Sequence, residues 1–401
     1  MEKLILNFKK LILKTTRFSG YFLKYFLEKK NIAIYSSLKN HVFFGYYDKS
    51  PFDCNDKYLL AGHLPIGNYC FDNSEQLELG FYELGTNNFH SIDKTQAWSW
   101  QLGARFYWHP TDNTILTYNK LINGKYKNIF FNFEQNKIIH LLDQPSYDLS
   151  HDGKISLSLN FERLQLLRPG YGYTEQGHSR IEYKIPKEEG IIITDVLSNK
   201  SEIIVSLLEV SKLNPTSDMK HAFHYFNHIS ISPLSTGFIF LHLWVNKDKR
   251  SSRFFYYDLI NNKIQQITEE NPVSHYAWQN ENKLLVTEVA NKRYYYNLYN
   301  LQTKTKICIA EDELKRDGHP SILRDQQRFI YDTYPDKFGY QSLNLFDMTT
   351  NTNKILFKTY MPNKFTGEFK CDLHPRLSRD DKMISIDLVH NNKRAMGIIK
   401  I

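Results

Sequence analysis

The segment that decides the fold is LSRDDKMISIDLVH at residues 377–390. An extended start, a polar turn with consecutive Asp residues and an apolar run together form the pattern of a β-hairpin. Related versions of this segment return along the chain, so that it occurs seven times after residue 40. The versions begin at Lys49, Trp108, Leu149, Ile231, Trp278, Leu323 and Leu377.

A second pair of apolar runs around a polar turn follows most of these hairpins, for example IFFNFEQNKIIHLL. Two hairpins make a four-stranded antiparallel unit, and repeats of roughly 40–60 residues built this way are propeller blades. The pattern therefore predicts an all-β, seven-bladed β-propeller over residues 31–401. The last unit ends in AMGIIKI without a fourth strand, and we expect residues 32–35 to supply it and close the ring.

The interval between the third and fourth hairpins is longer than the others. Residues 164–186 contain RPGYGYTEQGHSR, which is polar, aromatic and rich in glycine. We expect a long loop there, inserted between the second and third strands of blade 3. Loops of this size in compact domains are often functional.

The positive charge of the chain is concentrated at its N-terminus. The formal net charge is +8, and residues 1–30 hold eight basic and two acidic residues, which is +6. The rest of the chain carries only +2, so we expect no nucleic-acid partner. The four cysteines form no CxxC motif, and the sequence shows neither a long apolar run nor a signal-peptide pattern, which favours a cytoplasmic protein.

Residues 1–30 also show helical periodicity. Apolar side chains recur mostly at steps of three and four from Leu4 to Tyr25, with lysines on another side of the helix. This pattern predicts a basic amphipathic α-helix. Such a helix binds an anionic membrane surface, docks on the chain's own propeller or meets a partner protein, and the sequence leaves these three open. The first would place the protein at the inner face of a membrane.

Aligning the seven turns shows a recurring residue type five positions before each turn. The turn anchors are Pro51, Pro110, His151, Pro233, Asn280, Arg324 and Arg379. The residues five positions earlier are Tyr46, Arg105, Ser146, His228, His275, His319 and His374. Equivalent positions near the start of the innermost strands form a ring at the channel mouth, so we expect the four histidines to share one pocket.

Four converging imidazoles predict a divalent transition metal, Mn or similar, because imidazole nitrogens bind such ions. Asp317 and Asp372 each precede a ring histidine by two residues, so they are expected to be ligands or to orient the rings. The alternative is that each histidine is structural and bonds to loops of the neighbouring blade. The sequence contains no P-loop, GxSxG or HExxH motif, so nucleotide-driven chemistry and serine hydrolysis have no support.

The repeated turns resemble the propeller repeats of the TolB and WD40 type. The tetrapeptides DGHP at 317–320 and DLHP at 372–375 open consecutive blades and resemble the oligogalacturonate-lyase family and related propeller polysaccharide lyases. This resemblance covers nearly all of residues 40–401. It implies a metal held by histidines of neighbouring blades, which binds a uronate carboxylate, and a nearby histidine that takes the C5 proton.

The leading hypothesis is therefore β-elimination on a uronic-acid-containing oligo- or polysaccharide. The candidate catalytic residues are His228 or His224 as the base, Arg105 for the carboxylate and Tyr46 as the proton donor. The candidate substrate-binding residues are Arg168, Tyr171 and Tyr173 in the long loop, with Asp48 and Lys49 at the channel mouth. The alternative is a non-catalytic propeller that binds glycan or protein at a membrane surface, in surface-polysaccharide assembly.

Overall fold

The computed structural model describes residues 32–67, 75–174, 176–177, 181–247, 249–268, 272–311 and 313–401. The helix predicted over residues 1–30 lies outside this part of the chain, so it stays a prediction. Within the described residues, no helix is long and apolar enough to cross a membrane.

The described chain forms seven four-stranded antiparallel sheets, as the repeat predicted. Blade 1 contains β2 (Asn40–Phe43), β3 (Tyr58–Pro65), β4 (Leu77–Glu83) and β5 (Phe89–Thr95). Blade 2 contains β6 (Tyr107–Trp108), β7 (Ile115–Ile122), β8 (Lys125–Asn132) and β9 (Lys137–Leu142). Blade 3 contains β10 (Asp148–Leu149), β11 (Ile155–Ser158), β12 (Gly190–Asp195) and β13 (Lys200–Ser206).

The second half of the ring repeats the same order. Blade 4 contains β14 (Phe223–Ile231), β15 (Gly237–Asn246), β16 (Lys249–Asp258) and β17 (Lys263–Gln266). Blade 5 contains β18 (Val273–Asn280), β19 (Lys283–Ala290), β20 (Arg293–Asn300) and β21 (Thr305–Ile309). Blade 6 contains β22 (Ser321–Ile322), β23 (Arg328–Asp332), β24 (Tyr340–Asp347) and β25 (Thr352–Tyr360). Blade 7 contains β26 (Arg376–Leu377), β27 (Met383–His390) and β28 (Lys393–Lys400).

The fourth strand of blade 7 comes from the other end of the described chain. Strand β1 (Ile32–Tyr35) pairs antiparallel with β28, so that Ile32 lies opposite Ile399 and Tyr35 lies opposite Met396. This confirms the predicted closure of the ring. It also satisfies the edge of β28, which would otherwise present free backbone donors and acceptors.

The long insertion of blade 3 lies between β11 and β12, as expected, but it begins with a helix. Helix α1 (Phe161–Leu167) starts at Asn160, whose side chain accepts a hydrogen bond from the backbone of Arg163. Phe161 and Leu164 are buried and hold the helix on the propeller. The prediction of a loop from residue 164 was wrong at this point, because an N-cap and two apolar anchors suffice for two helical turns. A second helix, α2 (Leu207–Lys212), follows β13.

Hydrogen bonds join the insertion to the segments that precede blades 2 and 7. The backbone of Gln101, before blade 2, donates to the carbonyl of Gly170 at 3.0 Å. The side chain of Gln165 donates to Glu368, before blade 7, at 3.1 Å. The amide of Gln101 also donates to the carbonyl of Lys370 at 2.9 Å. The insertion and the loops before two other blades therefore form one connected cover beside the channel.

Candidate functional site

Two of the predicted ring histidines are oriented by fixed acceptors. Nδ1 of His319 lies 2.9 Å from a carboxylate oxygen of Asp332, and Nδ1 of His374 lies 2.9 Å from the carbonyl oxygen of Gly45. In the neutral form of both rings the proton therefore lies on Nδ1 and the lone pair on Nε2. The Nε2 atoms of His319 and His374 are buried and have no hydrogen-bond partner among the described residues. This is the state in which imidazole binds a metal ion.

The carboxylate of Asp332 contacts both of these histidines. It also accepts the backbone N–H groups of His319 at 2.7 Å and of His374 at 3.0 Å. Burial alone would raise the pKa of Asp332, but the His319 imidazole and these hydrogen bonds lower it. Burial likewise would lower the pKa of His319, but the charge of Asp332 raises it. One buried carboxylate thus fixes two ring positions at once.

A compact group of metal-ligand type is formed by His319, His374 and Asp372. One nitrogen or oxygen of each lies within 4.8 Å of the others, and all three are buried. Asp372 also lies 2.9 Å from Nζ of Lys370. Two imidazole nitrogens and one carboxylate oxygen suit a divalent transition ion such as Mn or Zn. The donor set therefore fits a metal, with two of the four predicted histidines and with Asp372 as the third donor.

The other two ring histidines border this group without belonging to it. The ring centroid of His275 lies 4.1 Å from that of His319, and Nδ1 of His275 is held by Asp317 at 2.9 Å. His228 stacks on Tyr46 with centroids 4.9 Å apart. The four histidines thus converge on one side of the mouth, as the turn register predicted. The predicted metal ligands His228 and His275 lie beside the three-residue group, and their role as ligands stays a prediction.

His228 and Tyr46 lie within hydrogen-bonding distance of each other, and burial shifts the pKa values of their side chains in opposite directions. The Tyr46 hydroxyl lies 3.4 Å from Nε2 of His228, and the Tyr147 hydroxyl lies 3.5 Å from its Nδ1. Burial, with the nearby His275, holds the pKa of His228 well below its ordinary value. Burial also raises the pKa of Tyr46 well above its ordinary value. At neutral pH the pair is therefore a neutral imidazole beside a protonated phenol.

Three of the seven ring positions adopt the left-handed backbone conformation. Arg105 has φ +50°, His228 has φ +52° and His374 has φ +44°. None of them is glycine, so each carries strain of order 1 kcal/mol or more. Strain of this kind persists where the surroundings fix it, as the Asp332 and Gly45 contacts do at His374. Three of the seven register positions thus have the left-handed backbone in common, and the other four do not.

The predicted carboxylate-binding role of Arg105 does not fit its surroundings. Its guanidinium binds Asp48 in bidentate fashion at 2.9 and 2.7 Å, and its Nε donates to the carbonyl of Tyr147. Nζ of Lys49 pairs with the carboxylate of Asp148. The Arg105 ion pair therefore joins blades 1 and 2, and the Lys49 ion pair joins blades 1 and 3. Arg105, Asp48 and Lys49 support the ring rather than offer free charge to a substrate.

His224 also differs from its predicted place as a base near the ring. Its Nδ1 lies 2.8 Å from Nε2 of His242, and its Nε2 lies 3.0 Å from the carbonyl of Met219. Strand β14 has a register shift between Asn227 and Ser230, next to the left-handed His228. The alternation that predicted a common direction for His224 and His228 is broken there. His224 is fully buried within blade 4.

The insertion brings Arg168 and Tyr171 to the mouth. The Tyr171 ring meets His228 edge-on, with centroids 5.7 Å apart, and the Arg168 guanidinium lies 4.8 Å from the Tyr171 centroid. Among the described residues, no carboxylate pairs with Arg168. Tyr173 does not reach the site, which corrects its predicted substrate contact. It is fully buried, stacks on Phe161 and accepts a hydrogen bond from a side-chain amide in blade 2.

Three site residues were missed by the sequence analysis. Asp332 ends β23, Tyr334 follows it, and Tyr47 lies next to a ring position. The Tyr334 centroid is 5.7 Å from that of His319, and the Tyr47 centroid is 5.2 Å from it. No shared turn offset marks Asp332 or Tyr334, because they lie at the end of the second strand of one blade and just after it. The sequence did point to Tyr47, because this residue directly follows Tyr46, which is one of the predicted ring positions.

The fold and the site can now be set beside known structures. An oligogalacturonate lyase in complex with manganese matches with a TM-score of 0.66 and 12% identity, over 92% of this chain and 93% of that chain. An oligogalacturonate lyase from Vibrio parahaemolyticus matches with a TM-score of 0.63 and 11% identity, over the same shares. The β-propeller domain of Cps50 (Swd1) from Myceliophteria thermophila matches with a TM-score of 0.50 and 11% identity, over 90% and 99%.

No family model and no curated protein sequence matches the chain. The three structural matches agree in the propeller fold and in little of the sequence. They confirm the resemblance to lyase-like and WD40-like propellers as a resemblance of fold. A shared fold does not establish an activity, which depends on the residues at the mouth of the channel.

Proposed function

We propose that this protein is a metal-assisted lyase that cleaves uronic-acid-containing oligosaccharides by β-elimination. The observation that carries the proposal is the compact group of His319, His374 and Asp372, in which two buried Nε2 atoms have no hydrogen-bond partner among the described residues. A divalent metal held there would supply positive charge to a substrate carboxylate and so acidify the neighbouring C5–H. The manganese bound by a lyase of the same fold supports this choice of ion.

Arg168 is the residue that would bind the substrate carboxylate beside this group. It comes from the insertion over the mouth, and among the described residues its charge is not matched by an acid. A guanidinium binds a carboxylate through two parallel hydrogen bonds, which fixes the plane of the group. The ring of Tyr171 beneath it offers a flat face for the sugar.

His228 and Tyr46 supply the proton transfers. The neutral imidazole of His228 takes the C5 proton, the C–H electron pair forms the C4–C5 double bond, and the C4–O bond breaks. The leaving oxygen takes the phenolic proton of Tyr46, which its raised pKa keeps in place until then. His228 then returns its proton to Tyr46 across the 3.4 Å contact. The C5 proton has in effect moved to the leaving oxygen, and both residues are restored.

The test is a digestion of oligogalacturonates in the presence of Mn²⁺, followed by the ultraviolet absorbance of unsaturated ends. We expect absorbance from the wild-type protein, none from His228→Ala and none from His319→Ala. Only His319→Ala should also lose Mn²⁺ binding, because His228 lies outside the ligand group. His90→Ala, at an exposed position of blade 1, is the control. Binding of oligogalacturonates without any absorbance change would contradict the lyase and favour the non-catalytic glycan-binding alternative.

The basic segment at residues 1–30 suggests where this activity takes place. We propose that the segment attaches the protein to an anionic membrane surface on the cytoplasmic side. The proposal rests on the charge of +6 and the helical apolar pattern of that segment.

A further inference from the structure

A groove runs outward from the histidines between blades 5 and 6. Its volume is about 560 Å³, and its walls include Tyr294, Arg316, Asp317, Tyr334 and Phe338. Tyr294 lies in the third strand of blade 5, Arg316 and Asp317 lie in the connection to blade 6, and the other two follow β23. The groove therefore extends radially, on the face of the ring where the histidines lie.

The groove and the histidine pocket share two walls. Asp317 holds Nδ1 of His275 at 2.9 Å. The Tyr334 ring meets His319 at a centroid distance of 5.7 Å and His275 at 6.3 Å. A ligand seated at the histidines thus has its next unit directed past Asp317 and Tyr334 into the groove.

The groove is lined by two acids, Asp317 and Asp336, and two bases, Arg316 and Lys337. The carboxylate of Asp317 is engaged by His275 and Ser274, and that of Asp336 accepts the backbone N–H groups of Phe338 and Tyr340 at 2.8 and 3.0 Å. Arg316 is exposed, and its guanidinium meets no carboxylate within the described residues. The acids are therefore used internally, while the guanidinium of Arg316 is available to an anionic ligand.

The remaining walls suit a sugar. Tyr294 and Phe338 present partly exposed aromatic rings to the groove, which Arg316 also lines. Aromatic faces pack against the C–H face of a ring-shaped ligand, while a few polar groups fix its orientation. A basic residue between aromatic walls is therefore suited to a sugar that carries a carboxylate.

We propose that this groove is a second sugar subsite, in which Arg316 binds the carboxylate of the uronate adjacent to the one held at the histidines. The inference rests on the proposed function, since the first uronate occupies the histidine pocket. It adds a specificity element, because the protein would then prefer uronate chains of two or more units over single sugars. It would also disfavour oligomers in which the second unit is neutral or methyl-esterified.

The experiment is calorimetric titration with galacturonate, digalacturonate and trigalacturonate in the presence of Mn²⁺. Every protein compared, including the one called wild-type in this test, carries His228→Ala, so that the dimer and trimer bind without being cleaved. The wild-type protein should bind digalacturonate about tenfold or more tightly than galacturonate, as expected for one charge-assisted contact. Arg316→Ala should lose about tenfold for the dimer and trimer and leave galacturonate within twofold. Arg316→Lys should retain part of the difference. Arg324→Ala, which removes an exposed arginine from the opposite face of blade 6, is the matched control.

Each outcome decides the proposal. Equal affinities of wild-type protein for one and two uronates, or an Arg316→Ala protein that keeps the dimer preference, would overturn the subsite while leaving the proposed function intact. Failure of all three sugars to bind the wild-type protein would overturn both. Because Arg316 is exposed, its variants should melt at the wild-type temperature, which a thermal scan verifies.

Discussion

The carboxylate of Asp332 lies 2.9 Å from Nδ1 of His319 and also accepts the backbone N–H of the next blade's His374. Histidines that bind metals commonly donate their second nitrogen to such a carboxylate, which fixes the tautomer and the ring plane. Here the same carboxylate also holds the backbone of the ring histidine of the next blade, whose Nδ1 bonds to the carbonyl of Gly45. The candidate metal site therefore lies where blades 6 and 7 meet, and it depends on residues of both blades.

The first prediction concerns this carboxylate. Asp332→Asn should weaken Mn²⁺ binding by about 10–100-fold, because the amide no longer fixes the proton on Nδ1 of His319. Manganese titration by calorimetry measures the loss. Asp325→Asn, in an exposed turn of the same blade, should leave the affinity unchanged. Equal Mn²⁺ affinity in wild-type protein and Asp332→Asn would show that the carboxylate does not orient a ligand.

The second prediction separates substrate binding from chemistry. Arg168→Ala should raise KM for oligogalacturonates by about 10–100-fold, the effect of losing a charge-assisted bidentate contact. Mn²⁺ affinity and melting temperature should stay at wild-type values, because Arg168 belongs to neither the ligand group nor the blade interfaces. Steady-state kinetics at several substrate lengths gives the result. A normal KM would place the carboxylate elsewhere in the pocket.

The third prediction tests the supporting role of the ion pair between blades 1 and 2. The side chain of Arg105 is 1% exposed and that of Asp48 is 14% exposed. Asp48→Asn leaves a buried cation without its partner, so the free energy of unfolding should fall by about 3–5 kcal/mol. Asp143→Asn, which breaks the outer pair with Lys127, should cost about 1 kcal/mol or less. Denaturant titrations compare the two, and similar losses would contradict the assignment.

The fourth prediction concerns pH and stability. Burial lowers the pKa of His41 and of His63 to about 4 in the folded protein. Unfolded histidines titrate near 6.5, so unfolding takes up protons between pH 6.5 and 4. Stability should be complete above pH 6.5 and fall through this window by about 1.4 kcal/mol per pH unit for each residue.

A variant isolates one of these two groups. His63→Gln keeps a polar side chain beside the Tyr82 hydroxyl, which lies 2.8 Å from Nε2 of His63. Urea titrations at pH 7, 6 and 5 should give a shallower pH dependence for this variant than for the wild-type protein. The same slope in both proteins would mean that His63 is protonated without cost in the folded state.

The fifth prediction concerns the basic N-terminal segment. The full chain should bind vesicles that contain phosphatidylserine, and deletion of residues 1–30 should abolish binding. The attraction should weaken as salt rises from about 0.05 to 0.5 M, because the screening length shortens. Vesicle sedimentation measures the bound fraction. Vesicle binding that survives the deletion would contradict the proposal.

The fold was predictable because its signal repeats. Each blade carries a turn of the same kind, and the offset between turn and ring position stayed constant in all seven. The pocket of four histidines followed from that offset alone. The closing strand β1 was predictable because the last repeat lacked a partner.

The partners of the site residues were not predictable in the same way. Asp332 comes from a second strand and Arg168 from an insertion, so neither shares the repeat. Asp317 was expected beside His319 but binds His275, because residues 317–320 precede the strand and lack its alternation. Regular alternation would point the side chains of His224 and His228 in the same direction, but the irregularity of β14 prevents this. Local departures from regular strand geometry thus limit what a periodic pattern can predict.

The pairing of β1 with β28 has a consequence for synthesis of the chain. The first described strand to leave the ribosome finds its partner only in the last one, because Ile32 lies opposite Ile399. Blades 1 to 6 have all their strands before then, whereas blade 7, which provides His374 and Asp372, is completed only once β28 has been made. A nascent or prematurely terminated chain therefore exposes two unpaired strand edges and has no metal site, which makes it a ready substrate for chaperones and proteases.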